Sequence, residues 1–167
     1  MKLDAAQMSE MRLQEMGFIF QQMYMLKNLS IYDNIILPAY QLKKGKEARM
    51  VINDRAKELM KKLGISEVAE NDINEVSGGQ LQRACICRSL INHPKMIFAD
   101  EPTGALNRAS STEVMEELVK LNAEGTTIMM VTHDAKVAAT RDALKPIADM
   151  YNKGMTQADA LSALDEL

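Results

Sequence analysis

Two carboxylates, Asp100 and Glu101, close the apolar run Met96-Ile97-Phe98-Ala99. A short apolar run ending in adjacent acids reads as a buried strand whose end faces a site, because ligands of open parallel sheets collect at the carboxyl ends of strands. Ahead of it stands Ser77-Gly78-Gly79-Gln80. Ser77 and Gln80 have the spacing of a reciprocal helix cap, and two glycines let another group come close to the backbone. The first-turn N–H groups of a helix have no partners within it, so this N-terminus is suited to an anion. Two further polar residues follow apolar runs: Gln21 after Phe18-Ile19-Phe20, and His133 after the run from Thr126 to Thr132. A neutral amide both donates and accepts, so it can meet two unlike polar partners at once. Alone, such a glutamine or histidine is usually structural; at the ends of strands they become candidates.

The elements that must position these groups follow from periodicity. Residues 4–16 predict a helix ending near Gly17, and 18–20 a strand. Ser30 and Asp33 start a helix that Pro38 limits. Ala48, Ile52, Ala56, Leu59 and Leu63 give an amphipathic helix over 46–63 with Gly64 as its stop. Residues 65–75 are a polar connection. A helix runs from Gln80 to about Asn92 and ends at His93-Pro94. Ser110 and Glu113 form a capping box for a helix carrying Val114, Leu118 and Leu121, stopped by Gly125. Strands alternating with helices predict an α/β fold with a parallel sheet. Gln21, Asp100, Glu101 and His133 then converge on one sheet edge.

The chain has 167 residues, 47% hydrophobic and 26% charged, with a net charge of −3. That suits one globular unit with a sizeable core and argues against nucleic acid or an anionic membrane surface as partner. No apolar run reaches the roughly 18 residues of a membrane span, and Asp4 leaves no room for a signal peptide, so direct membrane insertion is not expected. Cys85 and Cys87 stand two apart on a helix and point to different faces, which reads as two thiols in a reducing compartment rather than a metal pair. The fourteen methionines are scattered, as core filler would be.

Val76-Ser77-Gly78-Gly79-Gln80 resembles the signature motif of the ABC-type ATPases, with Val in place of Leu. Met96 to Glu101 resembles their Walker B strand. Pro102 to Asn107 resembles the D-loop, with Asn107 in place of Asp, and Val131-Thr132-His133-Asp134 resembles the H-loop. Gly17-Phe18-Ile19-Phe20-Gln21 resembles the strand and glutamine of the Q-loop. The resemblance covers about residues 8–139 and is strongest to the exporter ATPases of macrolide-export and lipoprotein-release type.

That resemblance implies a partial P-loop NTPase (RecA-like) core, residues 1–22 and 83–143, with an ABC helical subdomain over 23–82. Residues 144–167, with Leu161, Leu164 and Leu167 on a short helix, form a divergent tail outside the resemblance. ATP and Mg²⁺ are the implied ligands. Asp100 would hold the metal through water, with Gln21 sensing metal and γ-phosphate. Glu101 would be the general base, and His133 would contact the γ-phosphate. Ser77, Gly78, Gly79 and Gln80 would clamp the nucleotide of an opposite subunit. Implied partners are a second ATPase subunit and a membrane permease, on the inner face of the cell membrane. Met23, Tyr24, Met25 and Leu26 read equally as a docking surface for the permease or as ordinary core. By family analogy the Walker B strand lies in the middle of three and the P-loop strand would lie beside the third, which leaves Thr126 to Thr132 as an apolar edge; the tail around Leu161 and Leu164 is expected to cover it.

One part of the family pattern is missing. No Gly-x-x-x-x-Gly-Lys-[Ser/Thr] loop occurs in the 167 residues; Gly45-Lys46 is followed by Glu47. The expected function is therefore an exporter's ATPase subunit, incomplete and inactive alone. The alternative is a non-catalytic partner that regulates an intact ATPase or permease. A soluble ABC-type ATPase acting on nucleic acid is disfavoured by the acidic charge.

Overall fold

The computed structural model describes residues 4–42 and 46–133. Among these, β1 (Met16–Phe20), β2 (Met96–Asp100) and β3 (Thr127–Val131) form a parallel sheet in the order β1-β2-β3. The strand ending in the two acids is central, as expected.

The register sets the two faces, because successive side chains in a strand alternate. Gly17, Ile97 and Ile128 form one row, and Ile19, Ala99 and Met130 the next. Ile19, Ile97 and Ile128 are fully buried. This side is covered by α4 (Gly78–Leu90), which packs on β1, and α5 (Arg108–Ala123), which packs on β3 and α4. Gly17 is required at one point of that contact: a Cβ there would lie 2.8 Å from the Ser89 carbonyl oxygen. The other face carries the rows Met16-Met96-Thr127, Phe18-Phe98-Met129 and Phe20-Asp100-Val131. It stays partly or wholly exposed.

The same apolar cluster continues through α4 into α2 (Ile31–Leu42) and α3 (Lys46–Lys62), joining Ile19 and Ile97 to Ile35, Ile52 and Leu59. α1 (Ala5–Glu15) precedes β1; Asp4 caps it by accepting the Gln7 N–H at 2.8 Å. Gly64 and Gly125 end α3 and α5 with φ of +63° and +105°, where a side chain would be strained. No helix among the described residues is long and apolar enough to cross a membrane.

Three local expectations are corrected. Pro38 lies inside α2 rather than at its end. Burial of Ile35, Ile36 and Ala39 in the core outweighs the hydrogen bond a proline forfeits. α5 starts at Arg108, not at Ser110: Asn107 is its cap, accepting the Ser110 N–H at 3.0 Å. Glu113 instead pairs with Arg83 of α4 at 2.6 Å. The 65–75 connection contains a 3-10 turn, Ser66–Val68. Residues 144–167, and with them the expected tail helix and its cover over β3, lie outside the described residues.

Candidate functional site

The bottom row of the register, Phe20-Asp100-Val131, brings three chain segments out of the sheet at one level. Gln21, Glu101 and Thr132-His133 follow immediately. Glu101 has φ of +44°, an uncommon backbone state for a side chain of its size. It is held there from both ends. Its N–H donates to the Val131 carbonyl at 2.8 Å, and its own carbonyl accepts the Gly104 N–H at 3.0 Å, closing the turn 101–104. Its carboxylate accepts the Thr132 hydroxyl at 3.2 Å and the His133 backbone N–H. The two donors aim this carboxylate at the end of β3.

Gln21 lies against the same turn. A Cβ on Gly104 would stand 2.8 Å from the Gln21 amide nitrogen, so glycine there lets the glutamine reach the turn. Asp100 is exposed beside them, on the open face of the sheet. The structure thus gathers Gln21, Asp100, Glu101 and His133 on one edge, as the strand-end reasoning predicts.

Ser77, Gly78, Gly79 and Gln80 form a second, separate constellation. The Ser77 hydroxyl accepts the Gln80 N–H at 3.2 Å, and the Gln80 side-chain oxygen accepts the Ser77 N–H at 2.9 Å. Gln80 also donates to Glu67 at 3.3 Å. The two glycines have different neighbours. A Cβ on Gly79 would meet the Ser110 Oγ at 2.7 Å, so the group that approaches this backbone is α5 itself. A Cβ on Gly78 would meet only Leu106, at 3.5 Å, an ordinary contact. Gly78 is therefore the glycine that leaves room for something outside the chain.

Several contributors escaped sequence reasoning. Arg88 of α4 donates to the Met23 and Tyr24 carbonyls, each at 2.9 Å. The Cys85 thiol donates to the same Met23 carbonyl at 3.3 Å. Burial pushes the Cys85 thiol up to about 11, against the opposing pull of Arg88. Buried Asn34 binds the loop before α2 from inside: it accepts the Leu26 N–H at 2.8 Å and donates to the carbonyls of Leu26, Leu29 and Ser30. Together these fix the segment leaving Gln21. Tyr24 and Leu26 are 65% and 50% exposed, while Met23 and Met25 are half-buried, so the segment is part anchor and part open apolar surface. Gln82, 1% exposed, has no partner for either amide atom among the described residues. A buried amide of this kind is ordinarily met by an ordered water.

Among the described residues no three His, Cys, Asp or Glu side chains group as a metal cage. One carboxylate and one amide at the strand ends fit a Mg²⁺ that arrives with a nucleotide and keeps most of its water and phosphate ligands.

A parallel sheet with paired acids at its central strand, a polar residue at each flanking strand end and a capped glycine helix start is the arrangement expected of a P-loop NTPase fold of the ABC type. Comparison agrees. The family profile described as ABC transporter matches residues 1–104. The macrolide export ATP-binding/permease protein MacB of Mannheimia succiniciproducens is 44% identical over 148 residues, 89% of this chain and 23% of its own length. MacB of Rhodopseudomonas palustris strain HaA2 is 41% identical over 161 residues, 96% of this chain and 24% of its own. The solved dimeric structure of MJ0796, a bacterial ABC transporter cassette, superposes with a TM-score of 0.70 at 38% identity, covering 82% of this chain and 60% of that one. A post-hydrolysis MJ0796 dimer bound to ADP and phosphate gives the same TM-score, 0.70, at 36% identity. This chain belongs to the ABC transporter family. It spans less than a quarter of the length of the curated relatives it matches.

Proposed function

We propose that this chain is a nucleotide-handling unit of an ABC-type exporter, working as one half of an ATPase pair against a membrane permease at the cytoplasmic face. The reading is supported by relatives named as macrolide export proteins and by the dimeric form of a similar cassette. The observation that carries it is the α4 N-terminus. Ser77 and Gln80 lock its first turn, and Gly78 leaves the approach open. Such an end stabilises a phosphate of a nucleotide held by the opposite subunit.

In this reading, residues 1–22 and 83–143 make the core and 23–82 the helical subdomain. At the strand ends, given a phosphate cradle, Glu101 would accept the proton of the attacking water on its carboxylate. The His133 backbone N–H and the Thr132 hydroxyl aim that carboxylate before water arrives. Gln21, resting on Gly104, orients the water, and the His133 ring faces the terminal phosphate. Asp100 and Gln21 would hold a Mg²⁺ that neutralises phosphate charge. No glycine–lysine loop occurs in the 167 residues, and in this reading the loop at a working site belongs to another segment. This chain donates its signature to a site whose loop, lysine and base come from an intact partner, while its own strand-end site lacks the phosphate cradle.

The missing loop also favours a second reading, a non-catalytic partner that docks on an intact ATPase. A mixture with an intact cassette separates them. Ser77→Arg in this chain should abolish the mixture's ATP turnover, and Glu101→Gln should change it less than twofold. Equal damage from both would sink the asymmetric assignment. Indifference to Ser77→Arg in a stable complex would establish the non-catalytic reading.

A further inference from the structure

The Gln80 side chain has a partner for each of its polar atoms. Its oxygen accepts the Ser77 N–H at 2.9 Å, and its nitrogen donates to the Glu67 carboxylate at 3.3 Å. A side-chain amide accepts only at oxygen and donates only at nitrogen. One orientation therefore satisfies both neighbours. Turned over, the amide would set donor against donor at Ser77 and oxygen against oxygen at Glu67. Glu67 favours the orientation in which the cap closes.

We propose that Glu67 is a positioning residue for the Ser77–Gln80 turn, holding it in the form that receives a phosphate. The proposal rests on the reading above that this turn meets a nucleotide held by an opposite subunit.

A carboxylate on a loosely held backbone would add little here, because ordering an exposed side chain costs about as much as one surface contact returns. Glu67 is presented from a fixed base. It is the middle residue of the 3-10 turn Ser66–Val68. Ile65 before it is fully buried, and Val68 after it is buried too. The Ile65 N–H donates to the Met60 carbonyl of α3 at 2.9 Å. Beyond the turn, the carbonyls of Ala69 and Asn71 accept the N–H groups of Tyr32 and Ile31, at 2.9 Å and 3.0 Å, at the start of α2. Two helices thus hold the backbone from which this carboxylate reaches α4.

The place of the charge matters as much as its support. α4 has no acidic residue in its first turn. A carboxylate there would take the electropositive helix end for itself and compete with a phosphate. Glu67 bonds to the Gln80 side chain instead, and among the described residues no acceptor is bonded to the Gly78 or Gly79 N–H. The cap is steadied while the donors that suit an anion stay open.

The test has two arms. In the chain alone, without nucleotide, Glu67→Met keeps the length of the side chain and removes the acceptor. Amide exchange at Ser77 should quicken ~10-fold, with that of Ile86, deeper in α4, unchanged. In the mixture with an intact cassette, the same variant should raise KM for ATP about fivefold, the worth of one hydrogen bond, with kcat altered less than about twofold. Glu67→Gln keeps an acceptor oxygen on a stem of equal length and drops the charge; it should restore both readings. The proposal is overturned by unaltered Ser77 exchange in Glu67→Met, by equal quickening at Ile86, by a fall in kcat with KM unchanged, or by Glu67→Gln as damaging as Glu67→Met. Failure of the exchange arm strikes the role of Glu67 and leaves the Ser77→Arg result standing. Indifference of the mixture to Ser77→Arg strikes the nucleotide reading on which the proposal rests, whatever the exchange arm gives.

Discussion

Gly78 and Gly79 are adjacent, yet an added methyl group should be felt at only one of them. Both lie in the first turn of α4, where replacing glycine by alanine lowers the entropy of the unfolded chain to a similar extent at either position. The surroundings differ. At Gly79 the new Cβ would stand 2.7 Å from the Ser110 Oγ and 3.0 Å from its Cβ, and α4 and α5 are further tied there by Arg83 and Glu113. At Gly78 the nearest atom is 3.5 Å away. The shared propensity gain cancels in the comparison, so the difference between the variants isolates the overpacking, about 1–3 kcal/mol. Urea unfolding followed by far-UV circular dichroism reads it directly. With a slope of roughly 2 kcal/mol per molar, the Gly79→Ala midpoint should fall about 0.5–1.5 M below that of Gly78→Ala. Ser110→Gly should recover much of the loss in the Gly79→Ala background, a coupling of ~0.5–3 kcal/mol in the double-mutant cycle. Equal midpoints for the two alanine variants, or no recovery, would refute the packing account of Gly79.

Two other perturbations have defined outcomes. Arg88→Met keeps the stem but removes the donors to Met23 and Tyr24; about 1.5–3 kcal/mol of stability should go, with faster amide exchange at Leu26, and unchanged exchange would mean that water replaces the guanidinium without loss. Burial raises the Cys85 thiol to about 11, and Cys87 is pushed up further still. A thiol whose folded value lies above its unfolded one stabilises the fold below the unfolded value of about 8.5, and that contribution is lost as pH rises toward the folded value. The urea midpoint should therefore fall between about pH 8.5 and 11 in the native chain, and less steeply in Cys85→Ala; parallel slopes would show that other groups govern the alkaline limit.

The strands were legible because their apolar runs are short and bounded, and the strand-end residues followed from the parallel topology those runs imply. The Ser77 cap was legible because serine and glutamine state it locally. Asn107 was missed for a related reason. Ser110 and Glu113 display the fuller capping pattern, while the true cap, Asn107, lacks an acidic residue returning the bond. Pro38 misled because its cost is local and the burial that outweighs it is not. The Arg88 grip and the Gln21–Gly104 contact join residues more than sixty positions apart, so no pattern along the chain announces them.

The Arg88 grip gives α4 the mechanics of a lever. The helix is anchored near its carboxyl end, where Arg88 and Cys85 hold the segment after Gln21. Ser77, at its other end beside α5, is eleven residues away, or about 16 Å along the axis at 1.5 Å per residue. A rigid tilt of about 5° around that grip carries Ser77 through roughly 1.4 Å, the scale of the helix shifts that accompany switching at subunit interfaces. The held segment, close to the pivot, scarcely moves. Motion at the signature end and stillness at the glutamine loop are thus compatible in one unbent helix, and the reach of the former is set by where the arginine falls in the sequence.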